Sequence, residues 1–333
     1  MSKARHRGKG DKREPSPKKG RRTRKGFGRP GVIGIVAGVI VLAVVGLIAN
    51  WLDRPTIPTF EGARAMSDVE ALVDFGSRVP GSPAHEKGLD FLRSRLDSLS
   101  DRLTLQPVVM AIPDGDTARG TNLIASFNLQ PSRNVRIMLG AHWDSRPRAD
   151  QDPDPNNRRL PVPGANDGAS GTAVLLEVAR LLHDVPPEIG VDILLFDLED
   201  LGADSTVAFA AGSAQFVELN DDYHPTFGIV LDMVCDSKLR LPKEANSVRA
   251  ARRIVDLVWD AAGEENAEAF QNGIGGAVTD DHAPFLTRGI PVIDVIQWPF
   301  PDYWHTTADT PDKCSTESLD QVGRVVTRVL YTQ

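Results

Sequence analysis

The chain has 333 residues, of which 41% are hydrophobic and 25% are charged. This is the composition of a globular protein rather than of a disordered chain, and it permits a sizeable core. The two cysteines, Cys235 and Cys314, lie in no CxxC pattern, so the chain does not depend on a disulfide framework. They could form one disulfide in an exported domain or remain two buried thiols, because sequence does not show whether they are close.

The net charge of -7 conceals an asymmetry between the two ends of the chain. Residues 1–30 carry 13 Lys/Arg and two acids, which leaves 25 basic and 43 acidic residues, about -18, for the rest. Residues 1–29 are rich in Lys, Arg, Gly, Pro and Ser, which predicts a disordered basic tail. Such a tail can bind nucleic acid, but the segment that follows it favours a different function.

Residues 30–52 contain no charged side chain and are mostly Val, Ile, Ala, Leu and Gly. A bilayer core of about 30 Å needs about 20 such residues, whereas a cleaved signal peptide is shorter and ends at a small-residue site. A buried core helix is the alternative, although such helices usually carry a polar face. The basic tail should stay cytoplasmic. The sequence therefore predicts a single-pass membrane anchor, no nucleic-acid partner, and an extracytoplasmic remainder.

After a Pro-containing linker at 53–59, helical and strand patterns alternate to the end, which predicts one soluble domain at 60–333. Nearly continuous apolar runs such as 191–196 are typical of strands buried on both faces. Strands separated by helices indicate an α/β fold, a mostly parallel sheet with helices on both faces. Helices are predicted at 67–75, 84–98, 170–183, 247–263 and 316–330, and strands at 121–127, 136–141, 191–196, 227–231 and 291–296.

Three of the predicted strands are followed by carboxylates or histidine. His142 and Asp144 follow one strand, the pair Glu199-Asp200 follows the next, and Asp232 follows the third. Ligands gather outside the carboxyl ends of strands in open α/β sheets, so these side chains are expected to converge. The two-residue period of a strand places Asp144 on the same face as His142, where it could orient the imidazole.

Adjacent carboxylates after a buried strand are costly unless a cation or a proton separates them. For Glu199 and Asp200 we therefore expect a division of labour, in which one binds a metal and the other is a general base. Asp167 lies in a loop that enters an apolar helix, where it could equally be an ordinary N-cap. His305 lies in an aromatic, turn-forming setting suited to a pocket wall. Imidazole with carboxylates makes a zinc-binding set, and three protein ligands would leave an open catalytic position.

The soluble part resembles the M28 zinc peptidase family, which includes bacterial aminopeptidases, and within it the glutaminyl cyclase branch. The resemblance begins with FGSRVPGS at 75–82 and continues with GAHWDS at 140–145 and GAND at 164–167. Its most specific part is TDDHAPFLTRGIPV at 279–292 followed by PFPDYWHT at 299–306. It covers about four-fifths of the chain.

The resemblance implies a role for each of several residues. It gives the zinc ligands as Asp167, Asp200 and His305, with Glu199 as general base and acid. Asp232 and Asp280 would complete an acidic network around Glu199, which we hypothesise raises the pKa of Glu199. Trp304 would form a wall of the substrate pocket and Phe300 would lie at its mouth. A cis peptide bond between Asp167 and Gly168 is also implied.

The sequence departs from the animal cyclases at three places. Asp200 stands where they carry Glu, Asp294 stands where they have His, and residues 201–214 lack their tryptophan-bearing loop. These differences point to a bacterial-type cyclase.

The implied activity is closure of N-terminal glutamine of peptides or proteins into pyroglutamate, with loss of ammonia and with one zinc ion. The alternative is a two-zinc aminopeptidase, for which His142, Asp167, Asp200, Asp232 and His305 supply five ligands with Asp167 bridging. In that case His142 would belong to a second zinc site, with Asp144 supporting it. A third alternative, an ectodomain that only binds peptides, is disfavoured because such domains usually lose ligands and none is missing here.

Overall fold

The computed structural model describes residues 56–112, 116–202 and 208–333. The predicted tail at 1–29 and the predicted membrane span at 30–52 lie outside these residues. Within the described ranges, no helix combines the length and the apolar character that crossing a bilayer requires. Of the predicted linker, residues 56–59 are described and form neither helix nor strand.

A six-stranded sheet forms the centre of the described chain, in the order β1-β2-β4-β3-β5-β8. The four strands β4, β3, β5 and β8 are parallel, while β2 and β1 add an antiparallel edge. Two further strands, β6 and β7, pair with each other. The strands are β1 Arg102–Ala111, β2 Thr117–Phe127, β3 Arg136–His142, β4 Gly190–Phe196, β5 Phe227–Asp232, β6 Leu241–Lys243, β7 Phe270–Ile274 and β8 Val292–Ile296.

Helices cover both faces of this sheet, as predicted, so the mostly parallel α/β architecture is confirmed. Side chains alternate along the buried strands: Leu139 and Ile193 belong to the larger core, whereas Met138 and Leu194 belong to the smaller one. The helices are α1 Gly62–Asp74, α2 Pro83–Leu99, α3 Ala169–Asp184, α4 Ala211–Leu219, α5 Ala245–Glu265, α6 Ala283–Thr287 and α7 Thr316–Thr332, with a 3₁₀ turn at Pro311–Lys313.

The five predicted helices and five predicted strands are all present, with ends shifted by a few residues. The edge strand β1 was not predicted because it contains Pro107 and buries only Val108, so no clean alternation marks it. The nine-residue helix α4 was also not predicted. Both lie outside the four-stranded parallel centre, where burial on two faces makes the sequence signal strong.

Strand order creates a crevice at the carboxyl ends of the central strands. The chain passes from β3 to β4 on one side and then crosses to β5 on the other side of β3. Leu139 of β3 is consequently paired with Ile193 of β4 and with Ile229 of β5. At such a switch point the loops separate in opposite directions, which leaves room for a ligand.

A disulfide joins Cys235, which follows β5, to Cys314, which precedes α7. This settles the alternative that the sequence left open between one disulfide and two thiols. The neighbouring segments also meet through a bridge between Asp236 and Cys314, and the backbone N–H of Ser315 donates to the Cys235 carbonyl at 2.7 Å. The disulfide thus ties the end of β5 to the start of the last helix.

Gly171 and Gly263 provide a matched test of how closely α3 packs on the sheet. A Cβ on Gly171 would lie 2.2 Å from the Leu231 carbonyl oxygen, whereas one on Gly263 of α5 would meet no atom within 4 Å. We expect Gly171→Ala to destabilise the fold by about 1–3 kcal/mol through backbone displacement. Gly263→Ala should stabilise it by up to about 1 kcal/mol, because alanine favours the helix. Urea unfolding of both variants measures this, and equal effects would contradict the close packing.

Candidate active site

The ends of the three central strands bring the predicted polar residues together. His142 is the last residue of β3, Asp232 is the last residue of β5, and the pair Glu199-Asp200 follows β4. The histidine and the Glu-Asp pair are buried, and the Asp232 side chain is only 12% exposed. The convergence predicted from the strand pattern is therefore present.

The backbone turns sharply at three residues in or next to this group. Leu198, Met233 and His305 have φ values of 60°, 49° and 55°, in the left-handed region that side chains other than glycine rarely adopt. Residues held in this region cost free energy and cluster at functional sites. The turn at Leu198 comes directly before Glu199, and the turn at Met233 comes directly after Asp232.

One cluster of ligand-type atoms consists of His142, Asp167 and Asp232. The Nε2 atom of His142 lies 3.1 Å from an Asp167 oxygen and 3.3 Å from an Asp232 oxygen, and its Nδ1 lies 3.4 Å from Asp144. Asp144 therefore sits where it can orient the imidazole. Its two oxygens also accept the backbone N–H groups of Glu199 and Asp200, at 3.2 Å each.

A second cluster consists of Asp167, Asp200 and His305 and shares Asp167 with the first. The Nε2 atom of His305 lies 3.6 Å from an oxygen of each aspartate, which is too long for a hydrogen bond. Ligands of a tetrahedral zinc ion, each about 2.0–2.2 Å from the metal, lie at least about 3.3 Å apart, so this spacing suits a shared cation.

Some of the atoms that could bind a metal in these two clusters also lack hydrogen-bond partners within the described residues. Asp200 Oδ2 is buried without a partner, and His142 Nε2 and Asp232 Oδ1 lie 3.3 Å apart without hydrogen-bond geometry. Buried polar atoms without partners are costly, so a ligand or ion is the expected explanation at a polar site. Imidazole nitrogen with carboxylate oxygen is a donor set that zinc accepts. The residues present therefore fit the predicted metal.

Residues that the sequence did not single out support these ligands. Asp309 accepts the backbone N–H groups of Asn166 and Asp167 at 2.8 and 3.1 Å, which fixes the shared aspartate. Arg146 donates to Asp200 at 2.8 Å and to Asp150 at 2.6 Å. Arg146 lies four residues after His142, and Asp150 four residues later again. This spacing alone gave no reason to predict that Arg146 or Asp150 supports a metal ligand.

The loop that carries Asp167 differs from one expectation. The peptide bond between Asp167 and Gly168 is trans; the cis bond of the described residues lies between Trp298 and Pro299. Gly168 instead turns the chain with a φ of 92°, and a Cβ on it would lie 2.3 Å from the Asp144 carbonyl oxygen. Only glycine combines this backbone angle with so close an approach. Gly168 rather than a side chain is the N-cap of α3, so Asp167 is not an N-cap.

Glu199 lies beside this metal-binding arrangement in an acidic, buried setting. Burial raises the pKa of Glu199 well above its usual value, and the Asp280 and Asp200 carboxylates raise it further, while His142 opposes them. Asp280 thus acts on Glu199 as hypothesised. Asp232 is not among the main groups acting on Glu199. Burial raises the pKa of Asp232 itself to about 7, with His142 opposing the rise and Asp280 adding to it.

A cavity of about 360 Å³ opens onto Glu199 and both clusters. Trp304 stacks on the His305 ring with 3.6 Å between centroids, and Phe300 lies 4.6 Å from Trp304. Both aromatic residues line this cavity. Its lining is Asp167, Glu199, Asp200, Phe209, Asp232, Met233, Val278, Thr279, Asp280, Ile296, Phe300, Trp304 and His305.

Behind Asp280 lies a third buried group that includes Asp294, the position where the animal cyclases have histidine. His282 lies between Glu244 and Asp294, with ring nitrogens 3.5 and 3.6 Å from their oxygens. Burial raises the pKa of Asp294 well above its usual value, and Asp280 adds to this. His282 lies within the 279–292 motif but was given no role, and nothing local marks Glu244.

The fold and the site together define a metal-dependent enzyme of the open-sheet α/β class, with carboxylate and histidine ligands at its switch point. Comparison with known proteins agrees. The sequence pattern described as Peptidase family M28 matches residues 122–330. The chain therefore belongs to peptidase family M28, as its motifs indicate.

Three similar proteins extend this likeness. A Zn-dependent exopeptidase from Parabacteroides distasonis ATCC 8503 is 37% identical, with a TM-score of 0.80 over 84% of this chain and 100% of that one. A Bacteroides thetaiotaomicron glutaminyl cyclase bound to N-acetylhistamine is 35% identical, with a TM-score of 0.79 over the same shares. Glutaminyl-peptide cyclotransferase from Bos taurus is 25% identical over 288 residues, 75% of this chain and 76% of the relative.

Removal of bound metal should destabilise the protein more at about pH 8 than at about pH 5.5. In the metal-free protein, burial raises the pKa values of Asp232 and Asp309 to about 7. Their stabilising contribution is complete below the unfolded pKa of about 3.9 and is lost as pH rises through about 7. Calorimetry with and without a chelator measures the drop in Tm, and added zinc should restore it. An equal drop at both pH values would contradict this electrostatic account.

Proposed function

We propose that this chain is a zinc-dependent glutaminyl-peptide cyclotransferase, which converts the N-terminal glutamine of peptides or proteins into pyroglutamate and releases ammonia. One observation carries the proposal. A single aromatic-walled cavity reaches the Asp167–Asp200–His305 cluster and also contains the buried Glu199. The likeness to a solved bacterial glutaminyl cyclase over that protein's whole length supports the same reading.

Asp167, Asp200 and His305 would hold the zinc ion. When bound, zinc supplies a Lewis acid that polarises the amide oxygen of the glutamine side chain. Asp309 and Arg146 keep the two aspartates in place through the hydrogen bonds described above. Because the ligands are fixed by buried partners, the site is organised before substrate enters.

The cavity walls would fold the substrate for an intramolecular reaction. The α-amine attacks the γ-carboxamide carbon of the same residue, so nucleophile and electrophile are already tethered. Orientation is therefore the main requirement, and well-oriented intramolecular reactions gain several orders of magnitude in rate. Trp304 and Phe300 provide apolar surfaces against which the glutamine methylenes can pack.

Glu199 would move the proton. Its carboxylate accepts a proton from the attacking amine and returns it to the departing nitrogen, so that ammonia leaves. A carboxyl with an ordinary pKa would hold that proton too weakly at neutral pH. Burial and the nearby Asp280 raise the pKa of Glu199, which improves the match to this task. Asp280 raises the proton affinity of Glu199, whereas Asp232 lies against His142.

Replacement of Glu199 by Gln tests this role. The amide cannot exchange the proton, so we expect kcat for a Gln-initiated peptide to fall by about 10²–10⁴. Zinc content, measured by atomic emission, should stay unchanged because the metal ligands are intact. Glu86→Gln, an exposed change in α2, is the matched control and should behave as wild type. Near-normal ammonia release by the Glu199 variant would remove Glu199 from the mechanism.

A two-zinc aminopeptidase is the second candidate, and a specific observation favours it. The His142–Asp167–Asp232 cluster could hold a second ion next to the first, with Asp167 bridging. The Zn-dependent exopeptidase named above has the same overall fold. Both candidate functions need a metal ion held by Asp167, Asp200 and His305. They differ in whether His142 binds a second ion.

Metal content after His142→Ala separates the two candidates. For the cyclotransferase we expect about one zinc per chain before and after the substitution, with metal retained by the remaining cluster. The aminopeptidase predicts about two ions that fall to about one, with loss of peptidase activity. Asp302→Ala, a change in the exposed turn before Tyr303, serves as the control. Two ions, together with release of N-terminal residues, would overturn the cyclotransferase.

We further propose that residues 30–52 anchor the protein in a membrane, with residues 1–29 in the cytoplasm and residues 60–333 outside it. The apolar length and the basic flank carry this proposal. The disulfide between Cys235 and Cys314 supports it, because disulfides persist mainly in oxidising compartments. Protease treatment of intact cells should remove the catalytic part, and full protection would contradict the orientation.

A further inference from the structure

A second cavity of about 660 Å³ lies beside the one that holds the metal ligands. We call it the α4–α6 groove, because those two helices form its sides. Phe209, Thr279 and Asp280 line both cavities, so the groove is continuous with the candidate active site. The groove is lined by Phe209, Ala210, Ala214, Val217, Glu218, Asp221, Thr279, Asp280, Ala283, Pro284, Thr287 and Arg288.

The size of the groove is more than the proposed reaction needs. The reacting glutamine would occupy the metal-site cavity of about 360 Å³. Ligand sites generally measure about 300–1,000 Å³, so the groove alone could hold a further ligand segment. A peptide substrate has such a segment, since its remaining residues must leave the metal-site cavity through an opening.

Small side chains form the sides of the groove. Ala214 of α4 faces it from one helix, and Ala283, Pro284 and Thr287 of α6 face it from the other. Low walls of this kind allow an extended backbone to lie between the helices. At the far end Arg288 pairs with Asp221 and donates to the Val217 carbonyl at 3.0 Å, which ties the two helices together.

The charge of the groove indicates which residues it prefers. Arg288 and Asp221 neutralise each other, but Glu218 is exposed and forms no ion pair within the described ranges. Glu218 therefore leaves a net negative charge on the groove. Charges at the rim of a site select partners by complementarity.

We propose that the α4–α6 groove binds the residues that follow the N-terminal glutamine of a peptide substrate, and that Glu218 favours a basic side chain among them. This inference rests on the proposed cyclotransferase function. It extends that function from a single residue to an extended peptide. Longer substrates should accordingly be turned over more efficiently than a glutaminyl dipeptide.

A blocking substitution tests the path of the peptide. Ala214→Trp fills the groove from α4, while Leu219→Trp places the same side chain at the end of α4, where Leu219 is 62% exposed and outside the lining. In the full-length chain, Ala214→Trp should lower kcat/KM for a Gln-initiated pentapeptide about tenfold, from lost contact area. It should leave a Gln dipeptide within about twofold of wild type. Leu219→Trp should change neither.

A second blocking variant guards against a local folding defect. Thr287→Trp fills the groove from α6 and should give the same loss for the pentapeptide with the dipeptide spared. If both blocking variants leave the pentapeptide unaffected, the peptide does not use the groove. If both slow dipeptide and pentapeptide equally, the groove acts only through the fold and the proposal fails.

Charge reversal tests the preference for basic residues. Glu218→Lys should reduce the ratio of kcat/KM for a Lys-containing pentapeptide to that for a Glu-containing one by about fivefold, as expected for an exposed ion pair. The effect should weaken at high salt. Asp222→Lys makes the same charge change at an exposed position outside the groove lining and should leave the ratio unchanged. If both variants change this ratio equally, the preference arises from the overall electrostatic field of the protein, and the proposed contact in the groove is contradicted.

The dipeptide separates failure of this inference from failure of the proposed function. If the wild-type protein does not release ammonia from a Gln dipeptide, the cyclotransferase proposal fails. In that case fluorescence anisotropy with a labelled pentapeptide still tests the groove, because Ala214→Trp should weaken its binding. If the dipeptide is turned over but longer peptides are turned over no more efficiently, the groove proposal fails and the cyclotransferase proposal stands.

Discussion

The structure depends on carboxylates concentrated at one edge of a buried parallel sheet. Asp167, Glu199, Asp200 and Asp280 lie together with little access to water, and each would be costly as an isolated charge. The fold compensates in three ways. Backbone N–H groups donate to Asp144 and Asp309, Arg146 pairs with Asp200, and the remaining oxygens face an expected cation. A carboxyl left over from this compensation keeps a raised pKa and can carry a proton.

The proposed division between metal binding and proton transfer rests on the different neighbours of two adjacent buried acids. Asp200 faces Asp167 and His305 across the cluster, whereas Glu199 faces Asp280 within the same cavity. The left-handed turn at Leu198 helps to place the two side chains in different surroundings. Peptidase and cyclotransferase chemistry can both use such an arrangement. The residues around the metal, rather than the metal alone, therefore decide the reaction.

The parallel centre and its polar strand ends could be predicted because two simple rules act there. Strands buried on both faces are continuous apolar runs, and ligands collect where such strands end. His142, Glu199, Asp200 and Asp232 follow from these rules. Asp280 and the aromatic walls lie on loops and were identified through motif resemblance, while His305 was first noticed for its aromatic, turn-forming surroundings. No periodicity marks them.

Other parts of the structure could not be predicted because their partners are distant in sequence. Asp309 supports Asp167 from 142 residues away, and Glu244 faces His282 across separate elements. Nothing local distinguishes these acids from solvated ones. The antiparallel edge strand β1 was missed for a related reason, since it is paired on one side only and shows no regular burial pattern. Tertiary pairing, not propensity, specifies all of these features.

The most direct test of the account is the mass of the product formed from a peptide that begins with glutamine. The zinc-loaded protein is incubated with this peptide and, separately, with one that begins with leucine. A cyclotransferase should remove one ammonia from the first peptide, keep all its residues, and leave the second peptide unchanged. Release of free glutamine or leucine, with the shortened peptide left behind, would contradict the assignment and identify an aminopeptidase instead.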